Sequence, residues 1–388
     1  MTNIIDYIIS WLCYDRPEAA RRVAYTDDVT ALDRYDVIIR PCGHLGKDLV
    51  VPDMSNAVIT CVSKGKYQIY TDIVYAAFFF ISRAEELINT QRDEHGRFLA
   101  RYSVLGQNNR LLIPLLDEYG RALLKCLGEP LPQSGFSGIF LTHDIDALTQ
   151  YRFIRGTLGG LRRGEWREVL RAWQDIHNDP LYTFPWLMEQ DKKVAAAQPI
   201  YFIKMTFGTG YDAPQYRLRG RDFQQLNKWL LQEGAYTGIH NSYYDYVQHI
   251  IPDPKAEHPC TYQRCHYLRC PIHKMRLLSD LHYTDDFSMG FADRIGFRLQ
   301  TTRPVRWIDP EKMQLTGLTL HPLMIMDTTL SEKKYMHLSE DEAYFLCQQL
   351  IDKVRMHHGE LNLLWHNSNI NSQSYHRSLY PKVLSLLR

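Results

Sequence analysis

The stretch Leu141-Thr142-His143-Asp144-Ile145-Asp146 extends an apolar run, Ile139-Phe140-Leu141, that has the length and composition of a buried strand. Side chains alternate along a strand, so Asp144 and Asp146 point to the same side. If the strand is parallel and central, its carboxyl end is where α/β proteins build their sites. One aspartate could then hold a metal ion while the other takes a proton from water. The alternative is an aspartate pair that caps the following helix or turn.

Short apolar stretches alternate with helical patterns from residue 136 onward, which predicts an α/β domain built on a parallel sheet or barrel. The expected strands are 138–142, 200–205, 236–240, 319–326 and 361–365. The expected helices are 164–177, 221–233, 271–281 and 339–357. The segment 128–135 is rich in proline and glycine and predicts a linker. Since the chain has 388 residues, we expect two domains, 1–130 and 136–388.

The first domain is expected to be small and of mixed α+β type. Its predicted helices are 3–14, 71–90 and 109–127, and its predicted strands are 36–40 and 57–62. It offers no catalytic signal of its own. The charged turn at 93–98 predicts either a loop that packs the two domains together or a loop that shapes substrate access.

Composition excludes several classes of function. The net charge is +1, and no basic run resembles a nucleic-acid footprint, so we expect no nucleic-acid partner. No stretch reaches the roughly 20 apolar residues of a membrane span. The segment 1–13 carries Asp6 and lacks the basic start and cleavage site of a signal peptide, so a cytoplasmic protein is expected. The oligomeric state stays open.

The chain has eight cysteines, most of them dispersed. Cys260, Cys265 and Cys270 lie five residues apart, which does not match the paired spacing of a structural zinc site. Reduced thiols are therefore the expectation.

Two further predicted strands end near a histidine. His240 closes the stretch 235–240, and His366 follows the stretch 361–365. A single histidine at the end of a strand is ordinarily structural. Two of them, together with the Asp-x-Asp pair at the same kind of strand end, make a more specific pattern.

These segments, in this order, resemble the polysaccharide deacetylase superfamily of NodB-homology or carbohydrate esterase type. Within this superfamily, the chain resembles a bacterial branch that has an extra N-terminal domain. The segments that carry it in the main domain are 142–146, 238–244, 264–269, 286–298, 322–330 and 364–367. The segments that carry the branch signature are 78–86 and 93–98. The resemblance implies a distorted (β/α) barrel with fewer than eight regular strands, preceded by a small α+β domain.

The resemblance also implies a function. It predicts a metal-dependent hydrolase that removes acetyl groups from an N-acetylated sugar or glycan intermediate. The expected cofactor is a divalent metal, with zinc as the expected ion. A cytoplasmic location favours a nucleotide-linked or lipid-linked substrate over a finished wall polymer.

The metal ligands are assigned by motif order. Asp146 corresponds to the metal carboxylate and His240 to the first metal histidine. The family usually has a second histidine four residues later, and this chain has Tyr244 there. Because catalytic zinc generally takes three protein ligands, we consider replacements and prefer the first of three candidates. These candidates are His266, Asp245 and His249.

The catalytic groups follow in the same way. Asp144 corresponds to the general base, Arg264 to the arginine that orients it, and His366 to the general acid. An imidazole with an ordinary pKa near 6.5 suits that task. Asp286 corresponds to a carboxylate that would hold Arg264 or tune the acid, with Asp285 as the alternative.

The substrate-binding assignments are less constrained. The backbone N–H of Tyr267 would help to bind the oxyanion, and Leu364 would line the acyl pocket. Ser242, just after the predicted metal histidine, is placed with them. Asp327 at the end of the strand 319–326 is expected in the cleft without an assigned role.

Two other functions remain open. A catalytically inactive relative could bind a glycan or a partner protein through the same cleft, and Tyr244 in the ligand position favours this alternative. An amidase of the same fold could act on an amide that is not a sugar, because fold does not fix substrate.

Overall fold

The computed structural model describes residues 1–205, 210–213, 215–247, 262–371 and 374–388. The strands are β1 (Val23–Tyr25), β2 (Val37–Ile39), β3 (Ile59–Ser63), β4 (Lys66–Ile69), β5 (Gly138–Ile145), β6 (Ala197–Ile203), β7 (Tyr236–Asn241), β8 (Tyr262–Cys265), β9 (Asp285–Met289), β10 (Val305–Asp309), β11 (Gln314–Pro322), β12 (Ile325–Met326) and β13 (Glu360–Leu364). The helices are α1 (Thr2–Leu12), α2 (Pro17–Ala20), α3 (Ile73–Ile81), α4 (Glu85–Ile88), α5 (Val104–Gln107), α6 (Leu115–Cys126), α7 (Ile154–Arg162), α8 (Trp166–Gln174), α9 (Phe184–Asp191), α10 (Arg221–Gln232), α11 (Ile272–Asp280), α12 (Asp327–Ser331), α13 (Glu340–Met356) and α14 (His376–Ser385).

A nine-stranded sheet forms the larger part of the molecule, in the order β10-β11-β9-β8-β7-β6-β5-β13-β12. All neighbouring strands run parallel except β10 and β11, so the predicted α/β class with a parallel sheet is found. Only residues 323–324 separate β11 from β12, which lie near opposite ends of this order. The sheet must therefore curl until its two sides approach. Within the described residues, the strand pairing does not close the circle.

The curled sheet is held by a buried ionic contact across its interior. His321 on β11 lies with Nδ1 2.7 Å from Glu360 Oε1 on β13 and with Nε2 2.9 Å from Asp285 Oδ1 on β9. The two carboxylates flank one imidazole, which lies against the ring of Phe287 with centroids 4.3 Å apart. This contact ties together strands that are far apart in the sheet order.

Strand β5 shows why the site lies at one end of this sheet. Its apolar positions Ile139 and Leu141 are buried in the core that packs α13 and α14 on the outer face. The alternate position Phe140 points to the inner face, where it clusters with Ile200, Phe202 and Phe287. Successive inward positions are then polar and end in the Asp144–Asp146 pair. The inner face of the sheet is thus apolar toward the amino ends of the strands and charged at their carboxyl ends.

The first 130 residues form a four-stranded sheet in the order β1-β2-β4-β3, and helix α3 is buried along its whole length. One hydrophobic cluster contains residues of this part and residues of the larger part. It includes Trp11 and Phe78 from the former and Met275, Trp307 and Leu318 from the latter. The two predicted domains therefore pack through a common core.

Several boundaries differ from the predicted ones for local backbone reasons. The single helix expected at 71–90 is broken, because Arg83 has a φ of 60°, outside the helical region. The helix expected from residue 109 begins only after Pro114. The strand expected at 319–326 is two strands, the first of which ends at Pro322. Strands β8 and β9 are not among the predicted strands, because polar residues such as Gln263, Arg264, Asp286 and Ser288 interrupt any apolar pattern in them. None of the helices in the described ranges combines the length and hydropathy of a bilayer-crossing helix.

Candidate metal centre and catalytic cleft

A cleft of about 490 Å³ opens at the carboxyl ends of the parallel strands. The candidate ligands and catalysts come from the ends of β5, β7, β8 and β13 or from the turns after them. The predicted site residues that line the cleft are Asp144, Asp146, His240, His266, Tyr267, Leu364 and His366. Residues up to 222 positions apart in the chain are thereby brought together, as the convergence of parallel strand ends requires.

Three of these side chains form a candidate metal centre. Asp146 Oδ1 lies 3.6 Å from His240 Nε2 and 3.5 Å from His266 Nε2. All three ligand atoms lie within 4.8 Å of one another. In tetrahedral zinc sites with bonds of about 2.0–2.1 Å, ligand atoms are about 3.3–3.4 Å apart. The observed separations from Asp146 need only a small contraction to hold such an ion.

The histidine rings are oriented as metal ligands usually are. His240 Nδ1 lies 3.1 Å from the carbonyl oxygen of Arg264, so that nitrogen is suited to donate and Nε2 faces the cluster. His266 Nδ1 lies 3.5 Å from Asp212 Oδ1. The contact of His240 fixes the tautomer and direction of that ring, as in a ligating imidazole, whereas the longer contact of His266 is electrostatic. Burial outweighs the nearby carboxylates and lowers the pKa of His240 to about 4, which keeps the ring neutral.

Lys204 is a residue of the centre that the sequence did not indicate. It follows the last residue of β6 and is buried, with Nζ 2.8 Å from Asp146 Oδ1. Among the described residues this oxygen accepts no hydrogen bond of acceptable geometry, so the contact is ionic. Burial would raise the pKa of Asp146, but Lys204 and the two histidines hold it well below its ordinary value. The residues fit a divalent cation. The ammonium of Lys204 is a second positive charge beside the same carboxylate oxygen.

Asp144 lies beside this centre and is bound by Arg264. Arg264 donates from Nη1 to Asp144 Oδ1 at 2.9 Å and from Nη2 to Thr142 Oγ1 at 2.8 Å. The guanidinium carbon lies 4.5 Å from the centroid of the Phe202 ring. Burial would raise the pKa of Asp144, but His240 and Arg264 lower it, so the carboxylate stays ionised.

His366 faces Asp144 from the end of the neighbouring strand β13. Its Nε2 lies 3.9 Å from Asp144 Oδ2, while its Nδ1 lies 2.7 Å from Asp327 Oδ1. The other Asp327 oxygen accepts from the backbone N–H of His366 at 2.7 Å and from Asn369 Nδ2 at 2.9 Å. Burial lowers the pKa of His366, but Asp327 outweighs it and the pKa rises to about 9. The imidazole is therefore held protonated at neutral pH.

Asp286 does not make the expected contact with Arg264. Its carboxylate accepts from Gln263 and from the hydroxyl of Ser288, and in the described residues it makes no hydrogen bond or ion pair to Arg264. It is fully buried and does not line the cleft. The alternative, Asp285, pairs with His321. The position next to the acid that was expected for Asp286 is held by Asp327.

Ser242 is likewise displaced from its predicted place. It is buried outside the cleft lining and donates to Asp212, which in turn lies against His266. Of the other candidate ligands, Asp245 pairs with Arg269 at 2.6 Å. Tyr244, at the position of the family's second metal histidine, is 41% exposed and lies outside the cleft lining. His249 and Cys260 lie outside the described residues.

The floor and wall of the cleft are apolar and aromatic. Leu364 forms a buried cluster with Leu268, Leu323 and Met326. Tyr267 adopts a left-handed backbone with φ 60°, and its ring lines the cleft. This conformation is uncommon for a non-glycine residue and is concentrated at functional sites.

The predicted loop at 93–98 reaches the same cleft. Arg97 lines it and is held by Asp93, with Nε and Nη2 at 2.8 and 2.7 Å from the carboxylate. Nη2 also donates to the hydroxyl of Tyr335 at 3.0 Å. The ring of His95 lies 4.7 Å from that of Tyr267. The first part of the chain thus forms one wall of the cleft as well as packing on the second part.

The comparisons with known proteins are sparse. Residues 5–132 match a family of unknown function, DUF7033. A solved structure described as a "putative polysaccharide deacetylase" from Mycobacterium smegmatis is 12% identical to the chain, with 66% of this chain and 88% of that one covered and a TM-score of 0.39. No curated protein matches the chain.

Proposed function

We propose that the protein is a metal-dependent hydrolase of polysaccharide deacetylase type that removes acetyl groups from an N-acetylated sugar or glycan intermediate. One observation carries the proposal. The cluster of Asp146, His240 and His266 lies beside an ionised carboxylate, Asp144, whose Oδ2 is 3.5 Å from His240 Nε2 and 3.9 Å from Nε2 of the protonated His366. A base, a cation site and an acid within one cleft are the groups that amide hydrolysis needs.

The side chains divide the work of hydrolysis. Bound at Asp146, His240 and His266, a divalent ion such as zinc would polarise the acyl oxygen and lower the pKa of a water molecule. Asp144, kept ionised by Arg264, accepts the proton of the water as its oxygen bonds to the acyl carbon. His366 gives its proton to the sugar nitrogen as the carbon–nitrogen bond breaks. Asp327 stabilises the charged imidazole before that transfer.

The lining of the cleft supports a small acyl group on a sugar. The apolar cluster of Leu268, Met326 and Leu364 can accept a methyl group beside the ligands. The tyrosine rings on the wall, including Tyr267 and Tyr335, offer flat faces for a sugar ring. Asp212 and Ser242 support His266 and belong to the positioning of the centre. A cytoplasmic location and the division into domains 1–130 and 136–388 are parts of the same proposal.

A second candidate function rests on Lys204. Its ammonium already supplies a positive charge to Asp146 Oδ1 at 2.8 Å. A protein that used this ion pair in place of a metal would be a catalytically inactive relative that binds a glycan or partner through the same cleft. The first candidate is preferred because two imidazoles face the same oxygen with their other nitrogens directed to acceptors.

The deciding experiment is a zinc titration of the metal-free protein by calorimetry, followed by an assay for acetate release from N-acetylated sugars. The hydrolase predicts one zinc bound per chain and zinc-dependent acetate release. A suitable control is Asp245→Asn, which removes a carboxylate at the surface and leaves the cluster intact. Absence of zinc binding in the wild type, with the cleft still able to bind a glycan, would favour the second candidate.

A further inference from the structure

Helices α7 and α8 form a hairpin beside the cleft. The two helices pack closely at Gly160, where an added Cβ would lie 2.6 Å from Val169 Cγ2. Val169 and Ala172 are buried with Tyr151 on the inner side. The indole Nε1 of Trp173 donates to Thr157 Oγ1 at 3.0 Å. The hairpin is thus fixed to the body of the protein along one side.

The other side of the hairpin presents large apolar side chains to solvent. On each helix three of them recur at positions i, i+4 and i+7, which places them on one face. Their exposed fractions range from 48% to 77%. These residues, the apolar face, are Ile154, Leu158 and Leu161 on α7 and Trp166, Leu170 and Trp173 on α8. A run of exposed leucine and tryptophan over two neighbouring helices is unusual for a surface that contacts only water.

A positive charge borders this apolar face. Residues 152–174 contain six arginines and two glutamates, a net charge of +4, whereas the whole chain carries only +1. In the part of the chain that the structure describes, Arg155, Arg162 and Arg171 make no ion pair. Arg167 lies over the ring of Trp166 at 5.1 Å. The free guanidinium groups are therefore available to an anionic partner.

We propose that the apolar face docks on an anionic membrane surface. Interfacial helices combine leucine and tryptophan on one side with lysine or arginine at its border, so that the apolar side chains enter the headgroup boundary and the cations meet anionic lipids. The hairpin has this composition on both helices. A second copy of the chain is a poor occupant, because two faces of charge +4 would be brought against each other.

The hairpin also borders a route to the catalytic cleft. Ile154, Arg155 and Trp173 line a second cleft of about 760 Å³. This cleft shares Ala213 and Gln215 with the catalytic one. A docked protein would therefore receive an N-acylated sugar carried on a lipid, an extension that rests on the proposed function. The docking itself does not depend on catalysis.

The test is co-sedimentation of the full-length protein with vesicles of phosphatidylcholine, either pure or with about 30% phosphatidylglycerol. The wild type should bind the anionic vesicles and should be released by salt. The variant Leu158→Ser/Trp166→Ser/Leu170→Ser should lose at least about tenfold in binding. The matched control is Leu231→Ser/Phe345→Ser, whose residues are 55% and 58% exposed on α10 and α13. The control should bind like the wild type.

A second variant tests the charges without touching the apolar residues. Arg155→Gln/Arg162→Gln/Arg171→Gln should weaken binding to anionic vesicles about fivefold for each arginine. Circular dichroism of every variant should match the wild type. The proposal is overturned if the wild type ignores both vesicles, if the serine variant still binds fully, or if the hairpin residues instead mediate a concentration-dependent dimer. Acetate release without vesicle binding would overturn the docking alone, and vesicle binding without hydrolysis would overturn the hydrolase alone.

Discussion

The imidazole of His366 and the carboxylate of Asp327 are joined twice, by Nδ1 to Oδ1 at 2.7 Å and by the backbone N–H to Oδ2 at 2.7 Å. The carboxylate is fully buried, and its own pKa is lowered to about 2, because burial is outweighed by the positive charge of His366. The pair therefore behaves as one unit in which the proton stays on the ring and Nε2 points to the cleft.

Asp327→Asn should disable the acid. The pKa of His366, raised to about 9 in the wild type, should fall toward its ordinary value near 6.5. Because the protonated ring is the active form, the wild-type kcat/KM should decline only as the pH rises through about 9, and this alkaline limb should move to lower pH in the variant. At pH 8 the protonated fraction of His366 should fall from about nine-tenths to about 3%, so we expect a loss of about 30-fold. A pH profile with an unmoved alkaline limb would contradict the assignment.

Loss of a metal ligand should differ from loss of the acid. Asp146→Asn and His240→Ala should each lower zinc affinity by at least about 100-fold and remove activity. His366→Ala should slow turnover by about 10²- to 10⁴-fold while zinc binding is kept. Calorimetry and acetate release measure the two effects separately. Full activity in either ligand variant would refute the metal centre.

Lys204→Met should strengthen metal binding. The ammonium competes with a cation for Asp146 Oδ1, so its removal should raise zinc affinity by at least about tenfold. Lys334→Met, at the rim of the same cleft, removes an equal charge farther from the carboxylate and serves as the control. Unchanged affinity in the first variant would indicate that the ammonium and the metal do not compete.

His321→Gln should reveal a pH-dependent part of the stability. Burial lowers the pKa of His321, but Glu360 and Asp285 outweigh it and raise the pKa to about 9. A raised histidine pKa stabilises the fold fully below the unfolded value near 6.5, and this stabilisation is lost as the pH rises through about 9. Denaturant unfolding should show a loss of about 3 kcal/mol at pH 6, which should shrink as the pH rises above about 6.5 and be nearly absent above about pH 9. A pH-independent difference would exclude this role.

The sequence was sufficient to predict those site residues that directly follow an apolar strand pattern. The Asp-x-Asp pair follows an apolar run, and His240 and His366 follow similar runs, so the meeting of parallel strand ends predicted their neighbourhood. His266 was selected only from the need for a third ligand. The structure brings its Nε2 to 3.5 Å from Asp146 Oδ1.

Other parts of the site depend on contacts between distant segments. Asp327 follows a predicted strand, and only the register of β12 beside β13 places it next to His366. Asp286 lies inside β9, for which no strand is predicted. Lys204 could have been noticed, because it is the second-last residue of the predicted strand 200–205. Strands β8 and β9 give no apolar pattern, because polar residues such as Gln263, Arg264, Asp286 and Ser288 interrupt them.

The two parts of the chain share one hydrophobic core, and Arg97 of the first part lines the cleft of the second. Both contacts determine whether the chain can be divided into separate fragments. Cutting the chain near residue 132 would leave the faces of Trp307 and Leu318 in water and would open the cleft beside Tyr267. Neither fragment is expected to persist as an independent unit. Expression and engineering of this protein should therefore treat the two segments as a single indivisible piece.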